Sequence, residues 1–189
     1  MNKKELRKEY IVKRNSLLNS DKIILEKLII NRILENFAFS NKITSCFLPI
    51  LSKNELDTWD LIRAIRDKHG KIALTKWDDK SHLLAHRIYN EDTIIETNSY
   101  GIPEPINGET ISDNQLDFIL VPLLIADIKG NRVGYGKGVY DRFLSTCVVK
   151  TKFIGISFFE LVDEIEDIDK NDIPLHYCVT PTKMYCFEK

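Results

Sequence analysis

Little in this chain would cross-link it, anchor it or give it a single electrical sign. Its four cysteines, Cys46, Cys147, Cys178 and Cys186, form no C-x-x-C pair, which argues against a redox motif or a zinc ribbon and fits small buried or edge residues in a reducing compartment. No apolar stretch follows Met1-Asn2-Lys3-Lys4-Glu5, and no later run approaches the length that spans a bilayer. Neither a secretory leader nor a membrane helix is therefore expected, and the expected location is cytoplasmic. Lys plus Arg (27) nearly balance Asp plus Glu (28), for a net charge of -1, so no partnership with nucleic acid or an anionic membrane is expected. Internal repeats, low-complexity tracts and linkers are also missing. With 189 residues, 43% of them hydrophobic, the chain is expected to form a single domain, 1–189, around one buried core.

Glycine is scarce too, eight residues in all, yet three of the eight alternate at positions 134, 136 and 138. They lie in Gly130-Asn131-Arg132-Val133-Gly134-Tyr135-Gly136-Lys137-Gly138-Val139-Tyr140-Asp141-Arg142. Positive φ at the three alternating glycines would let successive N–H groups converge on an anion. Arg132 and Lys137 would add charge, and a helix beginning at Val139 would turn its N-terminus toward the same place. Asp141, one turn in, is placed to meet a metal. A dinucleotide fingerprint needs G-x-G-x-x-G and a P-loop needs Ser or Thr after its Lys, whereas Gly138 follows Lys137, so neither motif applies. The plainer reading, a hairpin turn with glycines only for its corners, requires neither three alternating glycines nor interleaved cations.

Around this loop the chain alternates. Helices are predicted from Lys3 to about Leu18 and from Asp21 to Asn36, and a strand from Ile43 to Pro49. Thr58 is placed to cap a helix carrying Trp59, Ile62 and Ile65, and Gly70 ends it. Strands follow at Lys71–Thr75, Leu83–Ile88, Asp117–Val121 and Phe153–Ser157, with short extended pieces near Tyr177–Val179 and Tyr185–Phe187. The pattern predicts an α/β fold, a largely parallel central sheet flanked by helices, preceded by an N-terminal helical pair. Ligands of such sheets bind at the carboxyl ends of strands.

Other candidates have plainer readings beside the functional one. Lys3, Lys4 and Arg7 open a helix, where cations oppose the dipole; a solvated face is the simpler account and a bound anion the other. Glu55 can project over a sheet edge, or Asp57 and Thr58 can serve only as caps. Tyr100, beside the stiff stretch Gly101-Ile102-Pro103-Glu104-Pro105, suits stacking on a flat heterocycle or simple loop packing. His82 and His86, four apart, would pair on a helix, but their segment reads as a strand, and His69 and His176 are isolated. The acidic run from Glu160 to Asp172 reads as a solvated face.

The glycine segment through Leu144 resembles the signature of the 5-formyltetrahydrofolate cyclo-ligases. Four more motifs agree in order: Lys3-Lys4-Glu5-Leu6-Arg7 with Lys-x-x-Leu-Arg, Leu48-Pro49 with Glu55-Leu56-Asp57-Thr58, Gly101-Ile102-Pro103-Glu104-Pro105 with Gly-Ile-x-Glu-Pro, and Asp172-Ile173-Pro174-Leu175 with an acidic C-terminal motif. Val139 stands where the family often has a second Tyr, and His176 where an Asp is common. The loop Ile50-Leu51-Ser52-Lys53-Asn54 is longer than in many relatives, which leaves open whether Leu48 or Ile50 lines the pocket.

The resemblance implies an ATP-dependent cyclisation of 5-formyltetrahydrofolate to 5,10-methenyltetrahydrofolate through a phosphorylated formyl group, with release of ADP and phosphate. It implies ATP contacts from Lys3, Lys4, Arg7 and the loop Arg132, Val133, Gly134, Tyr135, Gly136, Lys137, Gly138, Val139 and Tyr140, with Lys137 and Arg132 countering charge on the transferring phosphoryl. Folate contacts are implied for Leu48, Ile50, Glu55, Tyr100, Tyr135, Gly136, Lys137, Gly138 and Val139, and Mg²⁺ ligation for Asp141 and Asp172. The expected protein is a monomer. Without the resemblance, the residues also admit a non-catalytic nucleotide-binding regulator, or a sugar-phosphate or CoA-ester enzyme on a similar scaffold.

Overall fold

The computed structural model describes residues 1–187. The first helix, α1 (Lys3–Asn15), starts where Asn2 and Glu5 close a capping box, each side chain accepting from the other's backbone N–H. Leu6, Tyr10 and Arg14, four apart, form its buried face. α1 ends earlier than predicted, at a C-cap Ser16 whose hydroxyl donates to Lys13 O, after which Leu17 N–H turns to Arg14 O at 3.3 Å instead of the helical i−4 carbonyl. The second helix, α2 (Asn19–Asn36), buries Ile29, Ile30 and Ile33.

Strand β1 (Ile43–Cys46) is shorter than predicted, because the chain beyond it bonds to side chains instead of a neighbouring strand. Phe47 O accepts from Thr58 Oγ1 at 2.8 Å and Ile50 N donates to Glu55 Oε2 at 2.7 Å. Thr58 is thus diverted from capping α3 (Trp59–Asp67); Asp57 Oδ1 accepts from Trp59 N at 3.0 Å in its place. The reversal after α3 also differs from expectation. His69, not Gly70, takes the left-handed conformation (φ 60°). Gly70 is required by packing, since a Cβ there would sit 2.6 Å from Ile65 Cγ2 and 2.9 Å from Phe39 O.

Next come β2 (Lys71–Asp78), β3 (Leu83–Ile88), a ribbon of β4 (Ile95–Thr97) with β5 (Pro103–Pro105), β6 (Thr110–Ile111) and β7 (Phe118–Pro122). A small ribbon of β8 (Ile125–Ala126) and β9 (Arg132–Val133) leads to α4 (Val139–Leu144), and β10 (Lys152–Ile156), β11 (Tyr177–Val179) and β12 (Met184–Cys186) complete the order. The main sheet has eight strands in the order β12-β11-β10-β7-β1-β2-β3-β6. From β11 to β2 neighbours are parallel, and β12, β3 and β6 add antiparallel edges. The single α/β domain with a mostly parallel sheet and an N-terminal helical pair is as the sequence predicts. From β1 the chain moves to β2 on one side, whereas from β7 it moves to β10 on the other, so strand order reverses between β1 and β7. The crevice at their carboxyl ends is where open α/β sheets bind ligands.

One sheet face buries α2 and α3 against Cys46, Ile72, Leu74 and Ile154, and the other is covered by Phe143 and Leu144 of α4. α1 lies apart, its Leu6 and Tyr10 packed on Ile125 and Val133. Among the described residues no helix is long and apolar enough to cross a membrane. A buried polar strut ties α4 to the sheet. Ser45 Oγ lies 2.9 Å from His86 Nε2, Asp113 Oδ1 lies 3.3 Å from His86 Nδ1, and Thr146 Oγ1 donates to Asp113 Oδ2 at 2.8 Å. His86, fully buried, stacks at 4.7 Å on Phe143. His86→Ala is therefore expected to lower unfolding free energy by about 2–4 kcal/mol in a urea titration, since it leaves a cavity and strands two polar partners. An unchanged midpoint would show that the strut holds nothing.

Candidate functional site

Two of the three alternating glycines behave as predicted: Gly136 (φ 88°) and Gly138 (φ 62°) are left-handed. Gly134 is not, which corrects the expectation for it. Its carbonyl accepts from Arg7 Nε at 2.9 Å, and a Cβ there would meet open space. The guanidinium of Arg7 lies flat over Gly136, so that a Cβ on that residue would come within 3.0 Å of Arg7 Cζ. α4, six residues long, brings little dipole to the loop, and the attraction for an anion rests on the cations.

Arg132 is one of these, and it is anchored. Its side chain is 6% exposed, its Nη2 lies 2.6 Å from Asp141 Oδ1, and its Nη1 donates to Ile173 O. Burial pulls its pKa down and the Asp141 carboxylate pushes it back up. Lys3 Nζ pairs with Asp172, whose Oδ2 also accepts from Asp169 N at 2.6 Å, while Lys3 N donates to Asp167 Oδ1 at 2.6 Å. The acidic run is thus more than a solvated face, because Asp167 and Asp172 hold the start of α1. Lys4, one residue round the helix, is exposed and lies outside the cleft, so it is the one predicted contact that the fold separates from the rest. Lys137 is exposed, its Nζ 4.8 Å above the ring of Tyr100.

Across from the loop, Glu55 is 4% exposed. Its Oε2 accepts from Ile50 N, and its Oε1 accepts from the Tyr135 hydroxyl at 2.8 Å. Burial, reinforced by Glu55, pushes the Tyr135 phenol well above its ordinary pKa. Leu48 and Ile50 are both buried and both line the cleft, so the structure includes each of the two alternatives. Tyr100, 59% exposed, stands on a turn whose Asn98 Oδ1 accepts from Tyr100 N at 2.9 Å and Ile102 N at 3.1 Å. Glu104, buried, takes Trp77 N and Asn98 Nδ2 and fixes that turn to β2.

These residues enclose one cleft of about 820 Å³ at the carboxyl ends of β1 and β7. Lys3, Arg7, Val133, Val139, Tyr140, Asp141 and Asp172 line it with the residues above. Sequence reasoning missed Lys53, whose Nζ sits 4.1 Å over the Tyr135 ring, and the lining residue Trp77, and weighed the lining residue His82 only as a partner of His86. His82 reaches the cleft from the tip of the β2–β3 hairpin, in a left-handed conformation (φ 56°). His176, where the family often has Asp, accepts from Phe153 N through Nδ1 at 3.0 Å.

Asp141 and Asp172 each commit one oxygen to neighbours. Among the described residues no group of three or more His, Cys, Asp or Glu gathers to hold a metal. Two carboxylates beside an anion loop do not make a closed zinc site. They fit a hard cation that keeps waters and takes most of its ligands from phosphate oxygens.

Comparison with known proteins agrees with this geometry. The model of the 5-formyltetrahydrofolate cyclo-ligase family matches residues 1–181. The 5-formyltetrahydrofolate cyclo-ligase of Mus musculus is 29% identical over 184 residues, covering 90% of this chain and 89% of that protein. The enzyme of the same name from Haemophilus influenzae is 36% identical over 127 residues, 64% of this chain and 67% of that one. The solved 5,10-methenyltetrahydrofolate synthetase of Aquifex aeolicus superposes with a TM-score of 0.83 at 28% identity, covering 100% of this chain and 94% of that one. With the glycine loop, the Lys3–Arg7 flank and the Glu55 wall in one cleft, and a family match running through all of them, this chain belongs to the 5-formyltetrahydrofolate cyclo-ligase family.

Proposed function

We propose that the protein cyclises 5-formyltetrahydrofolate to 5,10-methenyltetrahydrofolate at the expense of ATP, releasing ADP and phosphate. The observation that carries this reading is the cleft's two-sided construction: an anion loop flanked by Lys3 and Arg7 faces the buried carboxylate Glu55 and the exposed ring of Tyr100. A formyl amide is a poor electrophile. Attack of its oxygen on the γ-phosphorus, with ADP leaving, converts it to an iminium phosphate; N10 then adds to the formyl carbon, loses its proton, and phosphate departs. Such chemistry calls for positioning and charge neutralisation more than for a nucleophile.

In this reading the backbone from Arg132 to Tyr140 cradles the phosphates, Lys137 swings from Tyr100 to the transferring phosphoryl, and Arg132 supplies a fixed positive field. Glu55 accepts hydrogen bonds from the folate, Leu48 and Ile50 form its apolar floor, and Tyr100 stacks on its ring. Mg²⁺, held by Asp141 and Asp172, would neutralise charge on the phosphate oxygens. The reading extends to a monomer in the cytoplasm acting on two small molecules. Its cytoplasmic part is supported by four unpaired thiols.

One assay tests it: protein, MgATP and 5-formyltetrahydrofolate are mixed and the methenyl product is followed by its absorbance, with and without ATP. Product only with ATP is expected. ATP bound without product would point to a regulator, and neither would sink the assignment. Arg7→Lys is expected to raise KM for ATP about tenfold with little change in kcat, because lysine cannot both bond Gly134 O and cover Gly136. An unchanged KM would remove Arg7 from the ATP site.

A further inference from the structure

Arg14 lies seven residues beyond Arg7, two turns along the same face of α1. It is 5% exposed, and its Nε is buried without a partner among the described residues. A buried guanidinium is costly unless its charge is answered, yet no carboxylate among the described residues forms an ion pair with it. Glu55, 4% exposed, is in the same position with the opposite sign. The two meet only through Tyr135: Arg14 Nη2 donates to the phenol oxygen, and the phenol donates to Glu55 Oε1 at 2.8 Å. Arg14 Cζ also stands 5.4 Å from the Tyr135 ring centroid, and its carbonyl accepts from Asn54 Nδ2 at 2.7 Å, beside Glu55 in sequence.

The geometry points to Arg14 as a positioning residue for the folate side of the cleft: it holds the Tyr135 phenol against Glu55, and so fixes the carboxylate that receives the folate. Turning Tyr135 outward would take from both buried groups the phenol that they share. Arg7 and Arg14 thus hold consecutive loop residues, Gly134 and Tyr135, from one helix. Arg7 serves the ATP side of the loop and Arg14 the folate side. Arg14 does not line the cleft, so it acts only through Tyr135.

This inference rests on the cyclo-ligase reading for its substrate and on the Arg14–Tyr135–Glu55 chain for its geometry, and the two are tested separately. Arg14→Met is expected to raise KM for 5-formyltetrahydrofolate about tenfold, the cost of a lost charge-assisted hydrogen bond, while KM for MgATP moves less than about threefold. Tyr135→Phe should do the same, the double variant should be no worse than the poorer single one, and Arg14→Lys, which keeps a donor, should recover most of the loss. Equal rises in both KM values, or effects that multiply in the double variant, overturn the proposal. A urea-unfolding cycle on the parent, Arg14→Met, Tyr135→Phe and the double variant reads the chain without turnover: coupled losses of stability support it and additive losses overturn it. If the parent protein forms no methenyl product, the cyclo-ligase reading fails, and the unfolding cycle still decides whether Arg14 acts through Tyr135.

Discussion

Lys137→Ala is expected to lower kcat by about two to three orders of magnitude, the usual cost of deleting one preorganised charge at a transferring group, with the melting temperature within a few degrees of the parent. The two halves of this prediction have different origins. Lys137 is exposed, and its ammonium contacts the Tyr100 face and no carboxylate among the described residues. Its removal therefore strands nothing and costs little stability. In the proposed reaction the γ-phosphoryl group, by contrast, would carry charge on all its equatorial oxygens as it transfers, and Lys137 is an exposed cation on the glycine loop free to meet it, Arg132 being committed to Asp141. Stopped-flow absorbance of the methenyl product, with calorimetric melting as control, measures both. Near-parental turnover in a folded variant would remove Lys137 from the chemistry.

Gly136→Ala is expected to weaken ATP use about a hundredfold in kcat/KM, whereas Gly134→Ala, two residues away, should cost less than about tenfold; two glycines of one motif are here asked to differ by an order of magnitude. The asymmetry follows from geometry. Gly136 is left-handed, where an alanine Cβ is strained by about 1–2 kcal/mol, and the new methyl would stand 3.0 Å from Arg7 Cζ. Arg7 has to give by a few tenths of an ångström, which strains its bond to Gly134 O. Gly134 has an ordinary φ and open space where its Cβ would go. Competition binding of a non-hydrolysable ATP analogue ranks the two variants directly. Equal losses would mean that the loop, not the Arg7 seat, sets ATP affinity.

How much of this could be read from the sequence depends on the distance over which each feature is determined. The glycine loop and the strand at Phe118–Pro122 are local patterns, and the sequence placed them to within a residue or two. The α/β alternation, read along the whole chain, predicted the mostly parallel sheet. Gly134 and the choice of Thr58 as the cap of α3 were misjudged because each bonds to something outside the local pattern: Gly134 to Arg7, Thr58 to Phe47. Arg14 carried a usable signal, a second arginine seven after Arg7 on a face that also bears Leu6 and Tyr10. Lys53 carried none, since its approach to Tyr135 depends on a turn closed by a left-handed Asn54 (φ 51°). Lys4 resembled a ligand only by adjacency, and a helix turns adjacent residues about 100° apart.

The contacts that hold α1 to the cleft reach far along the chain: 127 positions from Arg7 to Gly134 and 169 from Lys3 to Asp172. At a ribosomal rate of roughly 5–20 residues per second, the helix spends on the order of ten seconds after synthesis before either partner emerges. Throughout that interval the apolar face of Leu6 and Tyr10 has no strand to cover it, because Ile125 and Val133 have not been made. The glycine-loop side of the cleft is accordingly among the last parts of the protein to form. A nascent chain that ends at Tyr100 carries Leu48, Ile50 and Glu55 but lacks the glycine loop, so on the proposed function incomplete chains would be unable to consume ATP.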